Sequence, residues 1–198
     1  MARPVQIKEE TILAAARDVF LERGIRATTA EVAVRAGVSE GSIFKRFRSK
    51  FELFRAAMVE ALEEPLWLRD LPVRVGRGEI RDELVDLGDQ IIEFFRSILP
   101  LIMMSWSNPA PNGVPTILEG PDPPPVRAAR KLAGYFEAEM RAGRLRRLDP
   151  EVVARAYLGG LNQYVFTQVV LKDGGDLPLP QEMYVRGLVQ LLLAGIAP

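Results

Sequence analysis

An all-α fold is expected, of about nine helices in two parts divided near residue 65, and three observations predict it. Apolar residues recur at three- and four-residue spacing over most of the chain. No stretch of useful length alternates apolar with polar residues, as a half-buried strand would. Prolines and glycines gather mostly between the periodic stretches, at 65–78, 108–125 and 173–180.

Residues 7–23 carry Ile12, Ala16, Val19 and Phe20 on one side and end at Gly24. Thr28 followed by Glu31 forms a capping box, in which the hydroxyl accepts from a first-turn N–H and the carboxylate reaches back. The helix it opens carries Val32, Ala33 and Ala36, and Gly37 supplies the left-handed residue that closes it. Ser39 then caps a helix expected over 40–46. Helices so closely joined cross steeply, as in a helix-turn-helix. Wound at about 100° per residue, the second of them turns Ile43 and Phe47 inward. Gly41, Ser42 and Lys45 then face outward, with Phe44 and Arg46 beside them.

Residues 50–62, with Phe51, Phe54, Ala57, Met58 and Leu62, predict a fourth helix, and Pro65 with the 72–78 segment breaks the pattern. The spacing of Leu84, Leu87, Ile91, Phe94, Phe95 and Ile98 predicts a long helix over 80–106, kinked at Pro100. Seven prolines between 108 and 125 predict a loop. Helix is expected again over 126–142, closed by Gly143. Asp149 caps the next with Pro150 at its first position, and it runs to about 172. A last helix is expected over 181–196.

The outward face of 40–46 suits a major groove. Small residues permit close approach, Lys and Arg meet phosphate or guanine, and Ser bonds to either. Over 35–50, five bases (Arg35, Lys45, Arg46, Arg48, Lys50) stand against one acid, Glu40. A plain αα corner with a solvated basic face fits the same residues, and the residues alone leave both readings open.

The segment resembles the N-terminal DNA-binding domain of the tetracycline-repressor (TetR) family over residues 5–62. The likeness lies in Thr28-Thr29, in Val-Ala-x-x-Ala-Gly-Val-Ser over 32–39, and in Gly41, Phe44, Phe47, Ser49-Lys50 and Leu53-Phe54. It implies that Thr28, Thr29, Phe44 and Lys50 hold phosphate-contacting positions, and that Gly41, Ser42, Lys45 and Arg46 lie at the groove. Arg35 joins them on charge. Two departures stand out. Position 44 is usually Tyr, and Phe44 lacks the hydroxyl that contacts phosphate; Arg46 is expected to take over that contact. The loop between Gly24 and Thr28 is also about one residue short.

The chain has 26 basic and 26 acidic residues, so net charge says nothing about nucleic acid. Residues 1–55 hold 11 bases and 7 acids, and the rest 15 and 19. A basic head on an acidic body turns the head toward DNA. There are no cysteines and no histidines. Disulfides, thiolate metal sites, His-based acid–base catalysis and the usual zinc ligands are therefore excluded. The acid pairs Glu9-Glu10, Glu63-Glu64 and Glu137/Glu139 read as solvated faces. Gly76-Arg77-Gly78 is no phosphate-binding signature without the longer motif. An enzyme is not expected, nor any cofactor or metal. The N-terminus lacks a signal-peptide core and no apolar run spans a bilayer, so a cytoplasmic location without membrane contact is expected.

The last two helices are apolar nearly all round, with Gly159, Gly160, Gly187 and Gly195 permitting close approach. The resemblance implies that they pair with those of a twin subunit in a homodimer. It also implies a small-molecule effector among the central helices. Phe94, Ile98, Met103, Trp106, Phe136, Tyr157 and Phe166 are the candidate apolar wall, with Asn162 and Gln163 as polar anchors.

The organisation expected is a helix-turn-helix DNA-binding domain over 1–64 and a ligand-binding and dimerisation domain over 65–198. The function expected is transcription regulation by a repressor that binds a palindromic double-stranded DNA operator as a dimer and is released by a largely apolar effector. An activator of the same fold is the alternative; a helical enzyme and a non-specific DNA-coating protein fit less well.

Overall fold

The computed structural model describes residues 9–23, 26–61, 65–106, 115, 118, 121–171 and 179–194. At 58–61, 100, 101, 104, 170 and 171 only the backbone is described. Gly24, Leu62, the acids Glu63-Glu64, most of the 108–125 loop and Gly195 fall outside the described residues.

Ten helices form among these residues, and no strand. They are α1 (Glu9–Arg23), α2 (Thr29–Ala36), α3 (Glu40–Phe44), α4 (Lys50–Ala61), α5 (Leu66–Arg69), α6 (Leu71–Arg74), α7 (Ile80–Trp106), α8 (Pro124–Arg141), α9 (Pro150–Leu171) and α10 (Gln181–Ala194). None is long and apolar enough to cross a membrane. The chain is all-α as expected, with three differences in detail. Two single-turn helices, α5 and α6, occupy the segment expected to be a break. Their residues Trp67, Leu68 and Leu71 are buried in the core, and that burial is what holds such short turns. Helix α8 begins at Pro124 inside the expected loop, because a first-turn residue needs no N–H of its own. Helix α7 runs from Ile80 to Trp106 through Pro100. Helix α3 closes at Phe44, two residues early, with Lys45 as its cap.

The chain divides into two compact units, residues 1–63 with 100–119 and residues 64–99 with 120–198. In the first, α1 lies against α2 and α4, and α2 against α3. Ile12, Ala16 and Phe20 of α1, Val32 of α2, Ile43 of α3 and Leu53 of α4 are fully enclosed. The Phe20 and Phe54 rings meet edge to face at 5.1 Å, a favoured aromatic geometry.

In the second unit α8 packs along α9, and α9 along α10. Leu84, Leu87, Ile91 and Ile92 of α7 share a core with Phe136, Tyr157, Leu161, Val185 and Val189. Gly88 leaves room on α7 for side chains of α9 and α10. A Cβ there would stand 2.8 Å from both the Tyr157 hydroxyl and Val185 Cγ1. That hydroxyl donates to the Leu84 carbonyl and is not free to retreat. Gly88→Ala is therefore expected to lower stability by about 1–3 kcal/mol through overpacking. Chemical denaturation reads this directly, and an unchanged midpoint would contradict it.

Glu139 was expected on a solvated face and is instead fully buried. Its Oε1 accepts from the Gly76 N–H at 3.0 Å, and Oε2 lies 2.8 Å from Arg144 Nε. Arg144 also donates to the Arg77 carbonyl. The end of α8 thereby holds the turn before α7, in which Gly76 adopts a left-handed φ of 75°. Glu137, by contrast, is exposed and paired with Arg141.

Candidate nucleic-acid interface

The reading end of the first unit is assembled by local caps. At the start of α2 the Thr28 hydroxyl accepts from the Glu31 N–H at 3.2 Å, and the Thr28 N–H donates to Glu31 Oε2 at 2.9 Å. Those bonds from Thr28 hold the Glu31 carboxyl below its usual range. At the other end Gly37 takes φ 68°, and the Val38 N–H reaches back to the Ala33 carbonyl at 2.9 Å. Ser39 opens α3 by accepting from the Ser42 N–H at 3.2 Å, and the two hydroxyls lie 2.8 Å apart. Helix α4 starts in the same way. Ser49 Oγ accepts from the Glu52 N–H at 3.1 Å, while Glu52 accepts from the Arg48 N–H at 2.7 Å.

These caps turn Ile43 and Phe47 into the core and leave Gly41, Phe44, Lys45 and Arg46 exposed, with Ser42 and Lys50 half-buried. Phe44 keeps 46% of its surface in solvent, an aromatic ring presented beside two cations. Arg46 donates to the Ser42 carbonyl at 3.2 Å, which draws its guanidinium along the helix.

Two residues differ from expectation. Thr29 is only 8% exposed, and its hydroxyl donates to Glu40 Oε1 at 2.5 Å. Its side chain is therefore engaged within the protein. Arg35 lies exposed, but its fork is closed on Glu22 of α1 by bonds of 2.9 and 2.7 Å, which also hold that carboxyl low. It borders an open groove of 340 Å³ between α1 and α2, beside the Arg23–Glu31 pair. Glu40 was missed as a working residue. Its signal was being the lone acid in a basic run.

Residues 12–57 match the family model of bacterial regulatory proteins of the tetR family. That segment is a TetR-type DNA-binding domain. The curated proteins the chain resembles are helix-turn-helix transcriptional regulators. It is 43% identical over 53 residues to the HTH-type transcriptional repressor BepR of Brucella suis biovar 1 (strain 1330). That match covers 26% of this chain and only 25% of the repressor. Among solved structures, the TetR family regulator PfmR from Thermus thermophilus aligns with a TM-score of 0.62 at 21% identity, over 94% of this chain and 99% of that one. The regulator FadR from Bacillus subtilis, solved in complex with stearoyl-CoA, aligns with a TM-score of 0.63 at 16% identity, over 96% of this chain and 100% of that one.

The residues expected to line an effector site scatter over several environments. Phe136 and Tyr157 are buried and meet edge to face at 6.1 Å, as packed core. Ile98 is buried, and Phe94 packs on Trp67 at 6.1 Å. Asn162 is half-buried, whereas Met103, Trp106, Gln163 and Phe166 are exposed. A cleft beside Met140, Leu145, Leu148 and Val153 includes Phe136, but at 40 Å³ it has room for about one water. An effector-sized guest needs roughly ten times that volume. Helical spacing could not separate residues that face a cavity from residues that face each other.

Proposed function

We propose that this chain is a TetR-family repressor that binds a palindromic operator as a homodimer. A largely apolar small molecule releases it, and it works in the cytoplasm. The head comprises residues 1–64, and the effector and dimerisation body residues 65–198. The observation that carries the reading is the exposed face formed by Gly41, Phe44, Lys45 and Arg46 around the buried anchor Ile43. The BepR likeness over the head supports repression. The stearoyl-CoA complex of FadR supports an apolar effector.

A second copy is the natural occupant of one face of the body. Val152, Ala156, Gly159, Gln163 and Phe166 make an exposed, uncharged stripe along α9, and Met183, Gly187, Gln190, Leu191 and Ala194 another along α10. The flanking charges are satisfied within their own helices, Glu151 with Arg155 and Glu182 with Arg186. A Cβ on Gly159 or Gly187 would meet nothing within 4 Å. An exposed helix glycine costs about 1 kcal/mol against alanine, and close approach of a partner backbone offsets that. A symmetric dimer sets two heads on successive major grooves, about one DNA turn apart. Effector binding in the body then needs only a small change in head spacing to lose the operator. By linkage the operator must weaken effector binding by the same factor.

Gel shifts with inverted repeats from DNA flanking the coding region, with and without long-chain acyl-CoA, test the reading. Lys50→Ala is expected to weaken binding on all sequences and to flatten the salt dependence by about one unit. Lys45→Ala is expected to cost about 1–3 kcal/mol chiefly on the preferred site. Unchanged binding by both variants would remove α3 from the interface.

A further inference from the structure

An acid at the head of a DNA-reading helix opposes binding, since every phosphate nearby repels it. Glu40 occupies that place in a run that otherwise holds five bases. Its carboxylate accepts from the Thr29 hydroxyl at 2.5 Å, a short bond of the charge-assisted kind. Thr29 is the first residue of α2 and Glu40 the first of α3, so the bond joins the beginnings of the two helices across eleven positions.

Helix α3 needs such a tie. Five residues make barely more than one turn, too short to hold a direction by backbone bonds alone. Ile43, fully buried, pins the helix at one point, and about one point a short rod can still tilt. The Thr29–Glu40 bond supplies a second point one turn away. The geometry points to Glu40 as a positioning residue. It sets the angle at which α3 presents Ser42, Lys45 and Arg46, at the expense of affinity for DNA of every sequence. Thr29 is its buried counterpart and not a side-chain phosphate contact. This inference rests on the operator-reading role proposed above.

The test compares duplexes that the full-length protein enriches from a random pool with a scrambled duplex of equal length. Glu40→Ala is expected to hold the scrambled duplex at least as tightly as the unaltered protein does, yet to lose about tenfold in preference for the enriched one. Glu40→Gln keeps an oxygen that accepts from Thr29, and is expected to restore that preference while binding both duplexes more tightly. Thr29→Val keeps the buried volume, and is expected to lose the preference as Glu40→Ala does, with no further loss in the double variant. A role confined to stability would lower both affinities together with the melting temperature, and that result overturns the inference. So does full preference in Glu40→Ala or in Thr29→Val, or a Glu40→Gln variant as impaired as Glu40→Ala. Should the unaltered protein enrich no sequence, operator reading itself fails. Should it enrich one that Glu40→Ala prefers equally, only the role of Glu40 fails.

Discussion

Gly187→Glu combined with Leu191→Glu is expected to leave the protein folded but monomeric, and to weaken its hold on a palindromic operator by at least about a hundredfold. Both positions face solvent in the isolated chain, so neither substitution disturbs a protomer's own core. In a symmetric dimer each glutamate would be buried twice, close to its own counterpart. An unpaired buried charge costs several kcal/mol, and four of them exceed what such an interface returns. Without the second head, binding falls back to that of one short helix and its phosphate contacts. Light scattering after size exclusion reads the assembly, and gel shifts read the affinity. A variant that stays dimeric with an unaltered operator complex would remove the α9–α10 stripe from the interface.

The second large effect is expected in the body. Glu139→Ala should destabilise the fold by about 3 kcal/mol, the lower part of the range for breaking a buried pair. The lower part applies because Arg144 keeps 24% of its side chain in water. Two groups lose their partner at once, the Arg144 guanidinium and the Gly76 N–H. Glu139→Gln retains an acceptor for Gly76 and should fall between the two. Denaturant titration reads all three proteins. A Glu139→Ala midpoint equal to the original would mean that the turn before α7 is held by its apolar contacts alone.

How much of this was visible in the residues follows from the range of the interactions. The capping box of Thr28 and Glu31, the Gly37 close and the Ser39 cap each lie within five positions, and all form as read. Asp149 before Pro150 behaves alike, accepting from the N–H groups of Glu151 and Val152. Helices α5 and α6 were hidden because Pro65, Pro72, Gly76 and Gly78 spell a break, while the force that winds them comes from distant partners of Trp67, Leu68 and Leu71. The same distance hid what Thr29, Arg35 and Glu139 do. Their partners lie 11, 13 and 63 positions away, beyond any local pattern. In the effector region the periodicity of Phe136 and Tyr157 marked them as inward, which they are. It could not say whether inward meant a cavity or each other.

The brevity of α3 carries a consequence for the genome it serves. A rod of about 7.5 Å spans little more than two base-pair steps, and flanking side chains extend its grip to roughly four. A word of four letters recurs about every 256 base pairs by chance, so a lone copy would find thousands of decoys on any bacterial chromosome. On the dimeric reading proposed above, only two such words, at the one separation the paired subunits would tolerate, make an address rare enough to regulate from.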